Sequence, residues 1–296
     1  MALSDPQGEA VVRLASFGLN TADADALAAF YEAALGCRRL SFERRPDADC
    51  LTLALGREII VLTQFHHPGR AYPRNTSSAD PIFQHFAVVV TDMAASYRRL
   101  TKIGGWSPIS KGGPRRLPAR FGGVTAFKFR DPEGHPLEFL AFPERSVPPH
   151  WRALPGDDGC LGIDHSAIGI ADSSRSIAFY ENLGFRVVAK TLNHGAEQSL
   201  LDGLVAPVVE VTALAPVHST PHIELLCYRS ATSDPGHKVR HDDIAATRLF
   251  LATSDLARRP SANARGERIV QKAMLDPDGH RLLVGRANVG DLPDTN

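Results

Sequence analysis

The stretch Gly162-Ile-Asp-His-Ser-Ala-Ile-Gly-Ile-Ala-Asp172 is followed directly by a helix-like segment, 173–184. It has a counterpart at 13–36, where an apolar strand again runs into an aspartate and then into a Phe-Tyr pair. Two shorter counterparts begin at residues 83 and 246 and also reach an aspartate. A segment that recurs four times predicts a repeat architecture, so the fold follows from the unit rather than from any single residue.

The position seven residues before each aspartate distinguishes the four copies. Counting back from Asp23, Asp92, Asp172 and Asp255 gives, in order, Ser16, His85, His165 and Arg248. Only the second and third copies carry a histidine there, a residue that can bind a metal or move a proton near neutral pH. This variation indicates that the chemistry of the protein lies in copies two and three.

The bulk composition is that of a globular protein with enough chain for two domains. The 296 residues include 33 Lys+Arg and 33 Asp+Glu, so the formal net charge is zero. A neutral chain does not favour nucleic acid or an anionic membrane as a partner, and no stretch is apolar enough to span a bilayer. The start of the chain lacks the blocks of a signal peptide, and the cysteines form no Cys-x-x-Cys pair. We therefore expect a cytoplasmic protein with reduced thiols.

Each copy is interpreted as one βαβββ unit. An apolar strand is followed by an aspartate that can cap a helix, and in copies one and three the helix ends at a glycine, Gly36 or Gly184. Short strands follow, and in copy three they are predicted at 185–190, 198–201 with 208–212, and 222–226. In copies two and four the last strand follows an Asp-Pro-x-Gly turn, at 131–134 and 276–279.

A proline-rich segment, 143–158, separates the first two copies from the last two. We therefore expect two domains, residues 1–148 with copies one and two and residues 158–290 with copies three and four. The polar loop 66–81 between copies one and two contains proline and glycine, a composition that suits a flap over a cavity.

These motifs resemble those of the vicinal oxygen chelate superfamily, the group of glyoxalases, bleomycin-resistance proteins and extradiol dioxygenases. The pieces that carry the resemblance are His85 with Asp92, Asp131-Pro-Glu-Gly-His-Pro-Leu-Glu138, His165 with Phe179-Tyr-Glu-Asn-Leu-Gly184, and His222-Ile-Glu-Leu-Leu226. The resemblance covers residues 9–287, which is nearly the whole chain. It implies an α+β fold in which four βαβββ modules form two open mixed-sheet barrels, each around a cavity.

In that family the metal is held by one position on the first strand and one on the last strand of each unit. Aligning the Asp-Pro-x-Gly turns and the final strands gives the last-strand positions, which are Val61, Glu138, Glu224 and Leu283. By resemblance, copy two offers His85 and Glu138 as metal ligands, and copy three offers His165 and Glu224. Copies one and four offer no ligand for a divalent cation.

Two pairings of the copies are open. If sequence neighbours pair, each barrel holds one histidine and one glutamate, too few for a transition metal, which usually takes three protein ligands and water. If copies two and three pair, one barrel collects all four ligands, and copies one and four form a barrel without a metal. We favour the second pairing because every ligand then has a use.

Two imidazoles and two carboxylates suit one divalent cation, Zn²⁺, Ni²⁺, Mn²⁺ or Fe²⁺. Such a cation acts as a Lewis acid on a carbonyl or enediolate oxygen of a small-molecule substrate. Glu138 or Glu224, on leaving the cation, can serve as the catalytic base for a proton next to that carbonyl. The resemblance therefore implies a glyoxalase-like lyase or isomerase.

Two other functions remain open. An extradiol-type dioxygenase would hold Fe²⁺ on two histidines and one carboxylate, but 121–130 lacks the histidine and tyrosine of that signature, so His194 or His222 would have to act instead. A non-catalytic small-molecule binding or resistance protein would need no metal. His222 shares a strand face with Glu224, and Arg248 in a ligand position would hold an anion or form a salt bridge. The sequence does not indicate an oligomeric state.

Overall fold

The structure, a computed structural model, describes residues 11–152, 159–217, 220–229, 238–253 and 272–286. Four α-helices lie in these ranges, α1 (Ala24–Leu35), α2 (Met93–Ile103), α3 (Ser173–Asn182) and α4 (Ala196–Asp202). Short 3-10 turns occur at Ala119–Phe121, Glu144–Ser146 and Pro149–Trp151. In the described part of the chain, no helix has the length and apolar character needed to cross a membrane.

The strands group into the four predicted copies, here called modules one to four. Module one contains β1 (Val11–Asn20), β2 (Arg38–Arg44), β3 (Ala48–Leu55) and β4 (Glu58–Phe65). Module two contains β5 (Gln84–Val90), β6 (Ser107–Pro108), β7 (Arg115–Arg116), β8 (Thr125–Arg130) and β9 (Pro136–Ala141). Module three contains β10 (Cys160–Gly169), β11 (Arg186–His194), β12 (Val208–Ala215) and β13 (His222–Tyr228). Module four contains β14 (Arg248–Thr253), β15 (Lys272–Leu275) and β16 (Arg281–Arg286).

Module one has the predicted βαβββ order, and the other modules vary it. Module two adds the short strand β7, and module three inserts α4 between its second and third strands. The helix expected after Asp255 in module four lies outside the described residues. The three other capping aspartates, Asp23, Asp92 and Asp172, each accept a hydrogen bond from a backbone N–H of the first helical turn, as predicted.

The prediction of a strand at 198–201 is wrong, because these residues belong to α4. Four consecutive residues are too few for their apolar spacing to distinguish a strand from a helix. Gly195 has a positive φ of 103°, which turns the chain out of β11 and lets the helix begin. Gln198, Leu201 and Asp202 then lie at helical spacing on the buried face of α4.

The described strands form two mixed sheets. The seven-stranded outer sheet has the order β15-β16-β14-β1-β4-β3-β2 and is built from modules one and four. The nine-stranded inner sheet has the order β11-β12-β13-β10-β5-β9-β8-β6, with β7 paired to β8, and is built from modules two and three. The predicted α+β class is confirmed, with two open sheets and no closed barrel among the described residues. The modules pair as favoured above, two with three and one with four.

One large cluster of buried apolar side chains contains residues of both sheets. Phe17 of β1 and Phe86 of β5 lie in it, with ring centroids 5.7 Å apart. Because neighbouring residues of a strand point to opposite faces, Ser16 and His85 point away from this core. Each sheet contains strands from both predicted domains, 1–148 and 158–290. The division of the chain into these two domains stays a prediction.

The register between the first and last strands is the same in all four modules. The last-strand position pairs with the residue two places after the first-strand position, as in Gly18 with Val61, Ala87 with Glu138, Ala167 with Glu224, and Phe250 with Leu283. Residues two apart on a strand share a face. Each last-strand side chain therefore lies on the same face as the first-strand side chain of its module, which matches the predicted alignment.

The Asp-Pro-x-Gly turns fold as predicted and also link modules that are neighbours in sequence. The glycine of each turn has a positive φ, 99° in module two and 94° in module four. The Tyr31 hydroxyl of α1 donates to Asp131 Oδ2 at 2.8 Å, and the Tyr180 hydroxyl of α3 donates to Asp276 Oδ2 at 3.1 Å. Helices of modules one and three are thus held to the turns of modules two and four.

Candidate metal centre

The four predicted ligands lie together on one face of the inner sheet. His85 stands on β5, Glu138 on β9, His165 on β10 and Glu224 on β13, which are four neighbouring strands. His85 Nε2 is 2.8 Å from Glu138 Oε2, and His165 Nε2 is 3.5 Å from Glu224 Oε2. The rings of His85 and His165 meet edge to face with centroids 5.9 Å apart. Side chains from two separate modules therefore meet at one place.

Three of these groups are spaced as ligands of a single cation. One ligand atom each from His85, Glu138 and His165 lies within 4.8 Å of the others, and all three residues are buried. Glu224 falls outside this set, although its carboxylate is close to His165. It is the more accessible carboxylate, with 25% of its side chain exposed against 8% for Glu138. Glu224 thus lies at the open side of the cluster.

A carboxylate that no motif indicates completes the surroundings of His165. Asp164 Oδ2 is 3.0 Å from His165 Nδ1, and Asp164 Oδ1 accepts a hydrogen bond from Trp151 Nε1 at 2.8 Å. Strict alternation along β10 would place Asp164 and His165 on opposite faces. The register of β10 against β5 shifts between Ile163 and His165, so a bulge brings both side chains to the same side. The contact with Asp164 directs His165 Nε2 toward the centre of the site.

His222 lies beside the same cluster. It pairs with His165 in the register of β10 and β13, and their ring centroids are 5.2 Å apart. His222 Nε2 is 3.7 Å from Glu224 Oε1, and His222 Nδ1 is 3.8 Å from Asp164 Oδ2. The spacing of two residues correctly predicts that His222 shares a face with Glu224. Asp164, His165 and His222 form a second group whose ligand atoms lie within 4.8 Å of one another.

A buried lysine borders the site on the side of Glu138. Lys128 of β8 pairs with Glu138 in the strand register, and its Nζ is 2.8 Å from Asp202 Oδ1 of α4. The Tyr228 hydroxyl and Gln198 Nε2 donate to the other oxygen of Asp202, at 2.9 and 2.7 Å. No motif indicates Lys128 or Asp202, because their contact joins positions 74 residues apart. Helix α4 therefore adds a hydrogen-bonded polar network to one flank of the site.

Both carboxylates of the site are ionised at neutral pH in the metal-free protein. Burial opposes the ionisation of Glu138, but Lys128 and His85 outweigh burial and lower its pKa. Burial also opposes the ionisation of Glu224, and His165 outweighs it and lowers that pKa. Glu138 and Glu224 therefore supply two negative charges, one buried and one partly exposed, and these favour a bound cation.

The two histidines differ in charge. Burial lowers the pKa of His85, and the hydrogen bond to Glu138 offsets this only in part, so His85 is neutral at neutral pH. Burial opposes the protonation of His165 as well, but Glu224 and Asp164 overcome it and raise its pKa to about 9. His85 Nδ1 is buried without a hydrogen-bond partner in the described part of the chain. In the metal-free protein the proton on His165 balances part of the negative charge.

The other candidates lie away from this cluster. His194 is exposed, with its ring against Phe121, so it does not replace a catalytic histidine at the site. A cavity of about 400 Å³ between Arg116 and Arg145 is lined by none of the four predicted ligands. The equivalent positions of the outer sheet hold Ser16, Val61, Arg248 and Leu283, which offer no set of ligands for a divalent cation.

A family model matches the N-terminal part of the chain. Residues 13–139 match the model described as the Glyoxalase/Bleomycin resistance protein/Dioxygenase superfamily. The matched stretch includes His85 and Glu138 and ends before module three. No curated protein matches the chain.

Solved structures share the fold over nearly the whole chain. Glyoxalase I from Zea mays is 16% identical, with a TM-score of 0.60 over 93% of this chain and 92% of that chain. A mutant of the same enzyme is 17% identical, with a TM-score of 0.63 over 93% and 92% of the two chains. A putative dioxygenase from Bacillus subtilis is 12% identical, with a TM-score of 0.56 over 94% of this chain and 86% of that chain. At such low identity the likeness extends to the fold and not to the reaction.

The charge on His165 makes the stability of the metal-free protein depend on pH. The folded-state pKa of about 9 lies above the usual 6.5, so the ion pairs of His165 stabilise fully below pH 6.5 and are lost as the pH rises through 9. We expect the free energy of unfolding of chelator-treated protein to fall between about pH 7 and about pH 10, and to fall less in His165→Gln. The exposed His67 supplies the control, since His67→Gln should keep the wild-type slope. Equal slopes in all three proteins would contradict this assignment.

Proposed function

We propose that the protein is a metal-dependent lyase or isomerase of the glyoxalase/bleomycin resistance/dioxygenase superfamily. The family model that matches residues 13–139 and the fold shared with glyoxalase I support this proposal. The observation that carries the proposal is one cluster of two imidazoles and two carboxylates, formed by His85, Glu138, His165 and Glu224. Packing alone does not explain the cluster, because the outer sheet repeats the fold without such a set.

The donor set fits a divalent transition metal. Two ligand atoms that each lie about 2.1 Å from one metal are about 3.0 to 3.4 Å apart in octahedral or tetrahedral geometry. The 2.8 Å between His85 Nε2 and Glu138 Oε2, and the 3.5 Å between His165 Nε2 and Glu224 Oε2, are close to that separation. The two carboxylates would neutralise one Zn²⁺, Ni²⁺, Mn²⁺ or Fe²⁺ held by all four side chains.

The carboxylates of Glu224 and Glu138 are the proposed catalytic groups. A cation bound here supplies Lewis-acid polarisation of a carbonyl or hydroxyl oxygen of a small substrate. Glu224 is the better placed base for a proton on the adjacent carbon, because its side chain is the more exposed and His222 lies 3.7 Å away as a route for the proton. The charge of Lys128 and the hydrogen bond to His85 keep Glu138 ionised, so Glu138 would serve as a carboxylate ligand and a second acceptor for the substrate proton.

An extradiol-type dioxygenase is the second candidate, and one observation favours it. Of the four predicted ligands, His85, His165 and Glu138 satisfy the mutual spacing, and two histidines with one carboxylate are the ligands of non-haem Fe²⁺ oxygenases. Against it, β8 places Lys128 next to Glu138, where no histidine or tyrosine stands. Oxygen uptake by the Fe²⁺-loaded protein with catechols separates the two enzymes. A non-catalytic small-molecule binder, the third candidate, would bind no metal at all.

Metal analysis of single variants tests the shared site. We expect the protein to bind one divalent cation per chain, and His85→Ala and Glu224→Ala each to abolish stoichiometric binding, because the ligands come from two modules. The measurement is metal content by mass spectrometry after dialysis against each candidate cation. Ser16→Ala changes the equivalent position of the outer sheet and should keep the wild-type content. Full content in both ligand variants would rule out the shared site.

Proton transfer by Glu224 is tested with the metal in place. Glu224→Gln keeps an oxygen ligand but removes the base, so we expect metal to remain while exchange of the substrate proton falls by about 10² to 10⁴-fold. Nuclear magnetic resonance in D₂O follows exchange at the carbon next to the carbonyl in a panel of α-hydroxycarbonyl compounds. Wild-type exchange rates in the metal-loaded Gln variant would show that Glu224 is not the base.

Asp164 acts through His165 and is therefore a proposed positioning residue. We expect Asp164→Asn to weaken metal binding by about 10 to 100-fold, because the amide no longer attracts the proton on His165 Nδ1. Competition with a chromophoric chelator measures the affinity. Asp47→Asn, which changes an exposed acid, should leave the affinity unchanged. Unchanged affinity in Asp164→Asn as well would mean that Asp164 does not orient His165.

A further inference from the structure

Arg248 occupies on the outer sheet the position that His165 occupies on the inner sheet. It lies on β14 two residues before Phe250, which pairs with Ser16 on one side and with Leu283 on the other. Alternation along the strand places the side chains of Arg248 and Phe250 on the same face. The outer sheet therefore presents a guanidinium where the inner sheet presents an imidazole beside carboxylates.

The guanidinium of Arg248 has neutral partners only, among the residues that the structure describes. Its Nη1 donates to Asn20 Oδ1 at 2.7 Å, and its Nη2 donates to the carbonyl oxygen of His241 at 2.8 Å. The ring of Phe65 lies beside it, with its centroid 5.6 Å from Cζ. A guanidinium has five N–H groups, so donors remain for a further acceptor.

A second arginine increases the positive charge of this face. Arg281 pairs with Arg248 in the register of β14 and β16, and its Nη2 donates to the carbonyl oxygen of Val239 at 3.0 Å. Burial, and then Arg281, lower the pKa of Arg248 to about 10, which still leaves it charged at neutral pH. A partly buried cation without a counter-ion is unfavourable, and a bound anion would relieve that cost.

The two acidic residues nearest along the chain segment that contacts Arg248, Asp242 and Asp243, already accept hydrogen bonds from other arginines. Asp243 accepts hydrogen bonds from the side chain of Arg70 and from the backbone N–H of Arg240. Asp242 Oδ2 accepts from the Arg240 side chain at 3.0 Å. Neither carboxylate is therefore placed to neutralise Arg248.

Asn20 holds the guanidinium in place. Its Nδ2 donates to the carbonyl oxygens of His241 and Asp243 at 2.9 and 2.8 Å, and its Oδ1 accepts from Arg248. Asn20 is almost fully buried, with 1% of its surface exposed, so the arrangement does not depend on a mobile surface side chain. The cation is therefore oriented before any ligand arrives, which reduces the entropy lost on binding.

From this arrangement we propose that the outer sheet binds the carboxylate of a small organic acid at Arg248, in a site separate from the candidate metal centre. A guanidinium matches a carboxylate through two parallel hydrogen bonds. Val61, Phe250 and Leu283 are half-buried apolar residues on the same face, and they would contact the hydrocarbon part of the acid. Inorganic phosphate carries the same charge type but has no apolar part, so this face favours an organic carboxylate.

Calorimetric titration of the full-length protein with hexanoate tests the site. Hexanamide is the neutral analogue, and inorganic phosphate is the anion without an apolar part. We expect hexanoate to bind the wild type, and hexanamide and phosphate each to bind at least about 10-fold more weakly. Arg248→Gln should weaken hexanoate binding by about 10 to 100-fold, as expected for hydrogen bonds to a charged group. The affinity of Arg248→Lys for hexanoate should lie between those of the wild type and Arg248→Gln, because lysine keeps the charge but not the paired hydrogen bonds.

Two further variants keep Arg248 and separate its effect from a loss of folding. Leu283→Asp places a carboxylate on the same face and should block hexanoate by occupying the guanidinium. Arg38→Gln removes an exposed arginine from β2, at the opposite edge region of the same sheet, and should bind hexanoate as the wild type does. Metal content should be unchanged in every variant, so failure of this site is distinguishable from failure of the metal centre. Absence of hexanoate binding to the wild type, equal binding to Arg248→Gln, or equally tight phosphate would overturn the proposal.

Discussion

The antiparallel pairing of β5 with β10 is the interaction on which the inner site depends. It places His85 and His165 diagonally across the strand pair on one face. The parallel pairings inside each module then add Glu138 and Glu224 from the flanking strands. Neither module alone contributes more than one histidine and one glutamate at these positions. The cluster therefore exists only because modules two and three share a sheet.

Much of this arrangement could be predicted from the sequence, because the signals that determine it are local. An aspartate that caps a helix marks a fixed point in each unit, so counting back from Asp92 or Asp172 locates the strand position whatever residue stands there. The turns and the period of two then fix the register of the last strand. These constraints operate within one module, and a single sequence contains them in full. The choice between the two pairings needed an additional argument from the number of ligands.

Three parts of the site could not be predicted, each for a different physical reason. Asp164 faces His165 only because of a bulge in β10. Because β10 is buried along nearly its whole length, its sequence has no polar–apolar alternation in which the bulge could be seen. Lys128 gains its partner Asp202 through a contact between modules, which no local pattern encodes. The run 198–201 is short enough to suit either a strand or a helix, and its packing against module two decides the outcome.

The inner sheet at His165 and the outer sheet at Arg248 differ in how they can respond to a cation. On the inner sheet, the carboxylates of Glu224 and Asp164 raise the pKa of His165, and the same charges would attract a metal. A proton and a divalent cation would therefore compete for His165 Nε2 at the proposed site, while Nδ1 keeps its contact with Asp164. Arg248 has no such alternative, because its guanidinium stays protonated at neutral pH. The same position of the fold thus carries an exchangeable positive charge on the inner sheet, at His165, and a permanent one on the outer sheet, at Arg248. Only the permanent charge of Arg248 requires an anion from solution.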